Sequence, residues 1–103
     1  MKVMITDFAR KQIRKTAKHI NREFGKLSKD KFLLEVQHTK RLLEDNPYLG
    51  SKELLLAERE TTFYSIVVNH LNKMVYRIMD DHIEVDAFWD TRREPKELAK
   101  QVK

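Results

Sequence analysis

Hydrophobic residues in the first half of the chain recur at the spacing of helices. Residues 1–5 have the alternation of a short strand, with Val3 and Ile5 on one side, and Thr6 follows as the predicted N-cap of a helix. The next apolar positions lie three or four residues apart and form one stripe: Ala9, Ile13, Ala17, Ile20 and Phe24. The pattern predicts an amphipathic helix that Gly25 closes.

A second apolar stripe predicts a second helix. Ser28 is its predicted N-cap, and the apolar positions that follow are Phe32, Val36, Thr39 or Lys40, and Leu43. The helix is expected to run to Asp45 and to end at Asn46-Pro47, because the residue before a proline is driven out of the helical region. Two helices joined by about three residues are expected to pack as an antiparallel hairpin.

Beyond the second helix the hydrophobic pattern alternates as it does in strands. Residues 48–52 form a predicted loop around Gly50, and residues 53–59 form a predicted short strand with Leu54 and Leu56 facing inward. Three longer strands are predicted over residues 62–69, 73–79 and 83–89. This region therefore predicts an antiparallel sheet of hairpin-linked strands.

The last predicted strand has the pattern of a sheet with one covered face. Ile83, Val85, Ala87 and Trp89 are expected on one face, and Glu84, Asp86 and Phe88 on the other. A short C-terminal helix is expected after Pro95, which suits a first helical position. A strand, a helical hairpin, three or four antiparallel strands and a short helix together predict an α+β fold with the helices on one face of the sheet.

The composition limits what such a fold can hold. Its 103 residues suffice for one modest core, so residues 1–103 are expected to form a single domain. The absence of cysteine excludes disulfides, zinc ribbons and thiol nucleophiles. No apolar run approaches the roughly 18 to 20 residues that cross a bilayer, and the chain start lacks the apolar segment of a signal peptide. We therefore expect a cytoplasmic protein without membrane contact.

The surplus of positive over negative charge lies in the first half of the chain. Residues 1–45 carry 12 lysines and arginines against 6 aspartates and glutamates, whereas residues 46–103 carry 9 against 10. The net charge of +5 indicates an anionic partner, which is either nucleic acid or an acidic protein. The alternative for a basic helix is a solvated surface without a partner.

Candidate chemistry is sparse in this sequence. The four histidines, at positions 19, 38, 70 and 82, lack metal-ligand spacing and are interpreted as surface residues, so no metal or cofactor is expected. Residues 88–95 are more informative, because Trp89 stands beside Arg92 and Arg93 just before the predicted helix. Paired arginines suit phosphate, and an aromatic ring can stack on a base. The alternative is a core tryptophan and arginines that pair with carboxylates.

Several motifs in this order resemble the RelE/ParE superfamily of type II toxin-antitoxin toxins. They are an Asn-Pro-x-x-Gly loop at 46–50, Phe-Tyr-Ser-Ile-Val-Val at 63–68, Lys-Met-Val-Tyr-Arg-Ile-Met-Asp-Asp-His-Ile-Glu-Val at 73–85 and Trp-Asp-Thr-Arg-Arg-Glu-Pro at 89–95. The resemblance implies a toxin that a cognate antitoxin neutralises through an acidic or amphipathic segment. We expect a heteromer with that antitoxin, since the edge of a small sheet also invites pairing with a partner's strand.

The resemblance leaves the target of the toxin open. One branch of the superfamily consists of ribosome-dependent mRNA endonucleases that use the 2′-hydroxyl of the substrate as nucleophile, and the other branch poisons DNA gyrase. The expected function is mRNA cleavage on the ribosome. The alternatives are inhibition of gyrase by protein contact and an inactive relative that only binds the antitoxin.

The resemblance also implies roles for single residues. Arg93, and Arg92 with it, matches the basic residue after the last strand that stabilises the phosphate, and Lys73 matches a basic residue at the start of a strand. These three residues are the catalytic candidates. The candidates for binding the substrate are Trp89, Tyr64, His70 and Arg77.

The chain departs from the RNase branch at two places. Residues 64–66 stand where that branch commonly has basic residues, and residues 96–103 lack its tyrosine or His-Tyr general acid. Three other residues would replace these missing groups only if the fold brings them near Arg93: Tyr64, His70 and Glu84. A nearly neutral sheet region also suits a phosphate site poorly. The basic helices are instead expected to meet ribosomal RNA, nucleic acid held by gyrase, or an acidic antitoxin.

Overall fold

The computed structural model describes residues 1–91 together with residues 98, 100 and 102. Two helices, α1 (Asp7–Phe24) and α2 (Lys26–Asp45), separate the first strand from the rest of a sheet. Of the predicted C-terminal helix, Leu98 and Lys100 are helical, and Val102 N donates to Leu98 O at 3.1 Å. Pro95, at its predicted start, lies outside the described residues.

A single residue, Gly25, connects the two helices along the chain. Thr6 caps α1 as predicted, because its side chain accepts a hydrogen bond from Ala9 N at 3.2 Å. Gly25 closes α1 with φ of 93°, and its carbonyl accepts from Lys29 N at 3.2 Å in the first turn of α2. The prediction that Ser28 caps α2 is therefore wrong: this left-handed glycine reverses the chain at once, and Ser28 lies inside the helix.

The predicted apolar stripes form the helical part of the core, with one exception. Ala9, Ile13 and Ala17 of α1 are buried, as are Phe32, Val36, Thr39 and Leu43 of α2. The stripe predicts Phe24 in the core, which is wrong: Phe24 is the last residue of α1 and is 72% exposed. Asn46 N donates to Leu42 O at 2.9 Å, and α2 ends before Pro47 as predicted.

The sheet has five strands in the order β1-β5-β4-β3-β2. Their bounds are β1 (Lys2–Ile5), β2 (Ser51–Lys52), β3 (Tyr64–Val67), β4 (Asn72–Ile78) and β5 (His82–Asp90). Strands β3 to β5 pair antiparallel as predicted, whereas β1 lies parallel to β5. Strand β2 lies within the segment predicted as a loop over residues 48–52, which is wrong for its last two residues because they pair antiparallel with β3. A parallel neighbour requires a long connection, and the two helices with the meander that follows supply it. The fold is α+β, with one mixed sheet.

The strand predicted over residues 53–59 is wrong, because the segment forms a short 3-10 helix that continues into a turn. Leu54–Leu56 form one 3-10 turn, and the Glu53 carboxylate accepts from Leu55 N at 3.1 Å and caps it. Leu56 is buried as predicted, but Leu54 is 82% exposed. Residues two apart point in different directions in a 3-10 turn, so the alternation expected of a strand is lost.

A bulge in β5 determines which residues of this strand enter the core on each face of the sheet. Val75 pairs with Ala87 and Tyr76 pairs with Val85, so Asp86 is an extra residue on its strand. One extra residue exchanges the faces of all side chains beyond it. Ala87 and Trp89 therefore do not share a face with Ile83 and Val85, contrary to the predicted alternation.

We call the face that packs against α1 and α2 the helix face. Its buried residues from β4 and β5 are Met74, Tyr76, Ile83, Val85 and Phe88. On the opposite face a smaller cluster contains Leu56, Phe63, Val75, Ala87, Trp89, Leu98 and Val102. The charged residues of β4 that were predicted as site residues also lie on this opposite face.

Candidate functional site

The residues predicted as a site lie in three different places. Lys73, Arg77 and Trp89 are on the opposite face of the sheet. Tyr64 packs on the helix face, and His70 lies in the turn between β3 and β4. The catalytic candidates Arg92 and Arg93 lie outside the described residues.

Lys73 is paired with a buried carboxylate. Its Nζ atom contacts Glu53 Oε1, and the two side chains are 16% and 5% exposed. The other oxygen of Glu53 accepts from Leu55 N, so the same carboxylate joins β4 to the 3-10 helix. The charge of Lys73 is thereby neutralised inside the fold. Sequence reasoning gave Glu53 no role, although a glutamate directly before three leucines indicates a carboxylate drawn into apolar surroundings.

Arg77 is held by two carboxylates of β5. Its Nε and Nη2 atoms donate to Glu84 Oε2 at 2.8 and 2.6 Å, and Nε lies 3.2 Å from Asp86 Oδ2. The guanidinium carbon also lies 5.9 Å from the centre of the Phe63 ring. Hydrogen bonding to Glu84 raises the pKa of Arg77 above its usual range. Arg77 is therefore a fixed cation within a three-residue cluster.

Asp86, the bulge residue, has the largest shift in acidity in the described part of the chain. Burial, and then its contact with the Glu84 carboxyl, raises the pKa of Asp86 to about 7. Burial opposes ionisation of Glu84 too, but hydrogen bonds from Arg77 and Asp86 lower the pKa of that residue. Asp86 Oδ2 is buried and accepts no well-aligned hydrogen bond from the described residues. The pair therefore holds a proton near neutral pH.

Trp89 occupies the smaller core. Its side chain is 1% exposed and packs with Ala87, Leu98 and Val102. In the register of the sheet it stands opposite Lys73. The interpretation of Trp89 as a core residue matches this position, because a buried ring cannot stack on a base without rearrangement of the cluster.

Tyr64 belongs to a ladder of three tyrosines that anchors the loop at residues 46–50. Its ring stacks on Tyr76 at 5.7 Å between centroids and meets Tyr48 edge to face at 6.0 Å. The Tyr76 hydroxyl accepts from Gly50 N at 3.0 Å and donates to Pro47 O at 2.9 Å. Burial raises the pKa of Tyr76, so this hydroxyl stays protonated. The structural role of Tyr64 is thus to hold the loop against the sheet.

His70 lines a large groove on the helix side of the molecule. The groove has a volume of about 1160 Å³ and lies between α1, α2, the turn between β3 and β4, and the end of β5. We call it the basic groove, because four cations line it: Lys15, Lys18, Arg22 and Lys31. Two carboxylates, Glu35 and Asp90, also contribute to its lining. This groove brings His70 together with the basic residues of the helical hairpin.

The chain is similar to known toxins over most of its length. The family model described as the ParE toxin of the type II toxin-antitoxin system parDE matches residues 3–95. A chain of the chromosomal ParDE toxin-antitoxin system from P. aeruginosa aligns with a TM-score of 0.72 at 12% identity, covering 87% of this chain and 95% of that one. The YoeB dimer from Staphylococcus aureus aligns with a TM-score of 0.57 at 18% identity, covering 84% of this chain and 92% of that one.

No curated protein sequence matches the chain significantly. Within the residues that the structure describes, no helix combines the length and apolar character that a membrane span requires.

Proposed function

Since the chain belongs to the family of ParE toxins of type II toxin-antitoxin systems, we propose that it arrests growth by contact with DNA gyrase and not by cutting RNA. The resemblance in the sequence associates one branch of the superfamily with gyrase, and the matched family carries the name of that branch. Inhibition by contact requires a shaped surface and no catalytic residues. The choice between the two branches therefore depends on whether the described residues offer a phosphate site.

The observation that carries the proposal is the ion pair of Lys73 with Glu53. A cation that stabilises a cleaved phosphate has to face the substrate with its charge uncompensated. Lys73 is mostly buried and its charge is balanced by Glu53, while Arg77 is balanced by Glu84 and Asp86. Each predicted cation among the described residues is thus already paired within the fold.

Purified toxin and gyrase provide the direct test. We expect the toxin to inhibit supercoiling of a relaxed plasmid by gyrase, and its expression in cells to induce a DNA-damage response while translated mRNA stays intact. The mRNA is followed by primer extension and the plasmid by gel electrophoresis. Unimpaired supercoiling together with cuts within codons of translated mRNA contradicts the proposal, and so does the absence of growth arrest.

Ribosome-dependent mRNA cleavage is the second candidate, and one observation favours it. Cleavage needs an acid or base that exchanges a proton near neutral pH. The pKa of Asp86 is raised to about 7, and the guanidinium of Arg77 lies beside it. If this cluster cleaves RNA, Asp86→Asn abolishes codon-specific cuts while the toxin stays folded. In that case Arg93→Ala also relieves growth arrest without loss of antitoxin binding. Under the gyrase proposal neither substitution changes the state of the mRNA.

A further inference from the structure

The side of α1 that faces away from the core is basic along its length. Residues 8–22 include six lysines and arginines and not one aspartate or glutamate. Five of the six cations recur at the helical spacing on the side opposite the buried residues of this helix. All five are exposed, and we call them the outer stripe: Lys11, Arg14, Lys15, Lys18 and Arg22.

The charges of the outer stripe are not balanced by the fold. Within the described part of the chain no carboxylate forms an ion pair with its first four cations, and Arg22 has only the exposed carboxylate of Glu23, at 3.6 Å. Lys73 and Arg77 differ, because carboxylates of the fold neutralise both. Cations three or four positions apart on a helix repel each other, so the outer stripe destabilises α1. A destabilising feature that nothing inside the fold offsets indicates a partner outside it.

The spacing of the outer stripe matches that of phosphates. The stripe extends from Lys11 to Arg22, which is roughly 17 Å at a rise of about 1.5 Å per residue. Its cations therefore follow one another about every 4 Å along the helix axis. One strand of B-DNA carries a phosphate charge about every 3.4 Å of its own axis. The stripe thus has nearly the charge density of a DNA strand, with the opposite sign.

The outer stripe lacks the apolar surface that a protein partner would cover. The other exposed residues in this part of α1, His19 and Asn21, are polar, and the exposed Phe8 and Phe24 lie at the two ends of the helix. The core of a protein interface is apolar and depleted of charged residues. Contact with a phosphate backbone is mainly electrostatic and needs no such core. This surface therefore favours nucleic acid over an acidic protein.

We propose that the outer stripe of α1 binds the phosphate backbone of duplex DNA, so that the toxin contacts the DNA held by gyrase as well as the enzyme. The binding of DNA is independent of the target of the toxin, whereas its use at gyrase rests on the proposed function. A stripe that contacts phosphates alone reads no base edges, so the binding carries no sequence preference.

Two neutral variants with the same loss of charge test the binding. Lys11→Gln with Arg14→Gln removes two cations of the outer stripe that lie outside the basic groove, whereas Lys26→Gln with Arg41→Gln removes two exposed cations of α2. Both variants should melt cooperatively like the wild type. Affinity for a fluorescent 20-base-pair DNA duplex is measured by anisotropy at several salt concentrations.

The salt dependence distinguishes the stripe from net charge. For the wild type we expect a slope of log Kd against log salt of about 4, because each neutralised phosphate contributes roughly 0.9. The stripe variant should lose about 2 of this slope and bind at least about tenfold more weakly at 0.1 M salt, and the α2 variant should change Kd less than about threefold. Equal losses in both variants, or a wild type that does not bind the duplex, would overturn the proposal.

The class of partner and the use at gyrase are tested separately. An RNA duplex of the same length and poly-L-glutamate serve as competing probes, and displacement of the DNA by either at a tenth of the concentration of unlabelled DNA would refute the proposal. In the supercoiling assay we expect half-inhibition by the stripe variant to need at least about fivefold more toxin than by the α2 variant. Equal inhibition would refute the contact with DNA held by gyrase. Failure of the wild type to inhibit gyrase would instead refute the proposed function, and the duplex titration would still decide whether the stripe binds DNA.

Discussion

The ion pair of Lys73 with Glu53 gives this single residue a structural role, and experiment can separate that role from a catalytic one. Lys73→Met leaves the Glu53 carboxylate buried without its cation. Removal of one partner of a buried pair costs roughly 3 to 5 kcal/mol of unfolding free energy. Lys73→Met with Glu53→Gln removes both charges and keeps an oxygen that accepts from Leu55 N. We expect this double variant to unfold within about 1 kcal/mol of the wild type in urea.

The double variant also separates the two roles by its toxicity. If Lys73 only holds the 3-10 helix against β4, expression of the double variant arrests growth as the wild type does. A double variant that is folded and still binds the antitoxin, yet fails to arrest growth, would assign Lys73 or Glu53 to the toxic activity. The single variant alone cannot distinguish these results, because its instability also reduces the amount of toxin in the cell.

Asp86 makes stability depend on pH. The folded protein holds its proton up to a pKa of about 7, whereas the unfolded chain releases it near the ordinary value of 3.8. The folded state therefore binds more protons between these values, and the free energy of unfolding falls as pH rises through this window. Asp86→Asn imitates the protonated form at every pH. Relative to the wild type, we expect this variant to gain roughly 2 kcal/mol between pH 5 and pH 8 in urea titrations.

A neighbouring aspartate provides the control for this effect. Asp80 lies exposed in the turn between β4 and β5, outside the cluster of Arg77, Glu84 and Asp86. Asp80→Asn should therefore keep the pH dependence of the wild type. If Asp86→Asn keeps that dependence too, Asp86 is not the group that titrates.

At the scale of elements, the loop at residues 46–50 depends on a close approach that only glycine allows. A Cβ atom at Gly50 would lie 2.5 Å from Ser65 O and 2.7 Å from the Tyr76 hydroxyl. Gly50→Ala is expected to lower the free energy of unfolding by roughly 1 to 3 kcal/mol, because the backbone of β3 has to move. The same substitution is expected to weaken the two hydrogen bonds between Tyr76 and this loop.

Gly25→Ala serves as the matched comparison. A Cβ atom at Gly25 meets nothing within 4 Å, but its φ of 93° remains unfavourable for alanine. With ψ of 175°, Gly25 lies in a backbone region that is essentially restricted to glycine, and another residue there costs roughly 1 to 3 kcal/mol. Thermal unfolding should therefore show a loss of similar size for Gly25→Ala, although its Cβ atom meets no clash, and an unchanged melting temperature would contradict the backbone explanation.

Periodicity predicted the elements whose form depends on local sequence. The helices, the N-terminal strand and the three long strands follow from apolar spacing, Thr6 and Pro47, because these signals lie within or beside each element. The 3-10 helix at Leu54–Leu56 is capped by the Glu53 side chain, which is paired with Lys73 of β4, and the bulge at Asp86 depends on pairing with β4. Neither follows from the local pattern, since each is fixed by contacts that form only in the folded chain.

The same limit explains what could be predicted of the candidate site. The basic helices and the separation of Lys73 from them were evident from the positions of charges in the sequence. The pairing of Lys73 with Glu53 joins residues 20 positions apart, and the proton on Asp86 requires the bulge that brings it to Arg77 and Glu84. The charge counts located the basic surface on the helices, but they could not distinguish a free cation from a paired one.

For the whole molecule, the concentration of positive charge on the helical hairpin predicts how antitoxin binding responds to salt. Interactions between exposed charges are screened beyond about 10 Å at 0.1 M salt, whereas apolar contacts are not weakened by screening. We expect Kd of the wild type to rise roughly fivefold between about 50 and 300 mM sodium chloride and then to level off. The variant Lys11→Glu with Arg14→Glu changes two exposed cations of α1 outside the basic groove and should follow the wild type, while Lys15→Glu with Lys18→Glu changes two cations that line it and should be nearly insensitive to salt. Equal slopes for the two variants would mean that the net charge of +5, and not the cations that line the basic groove, attracts the partner.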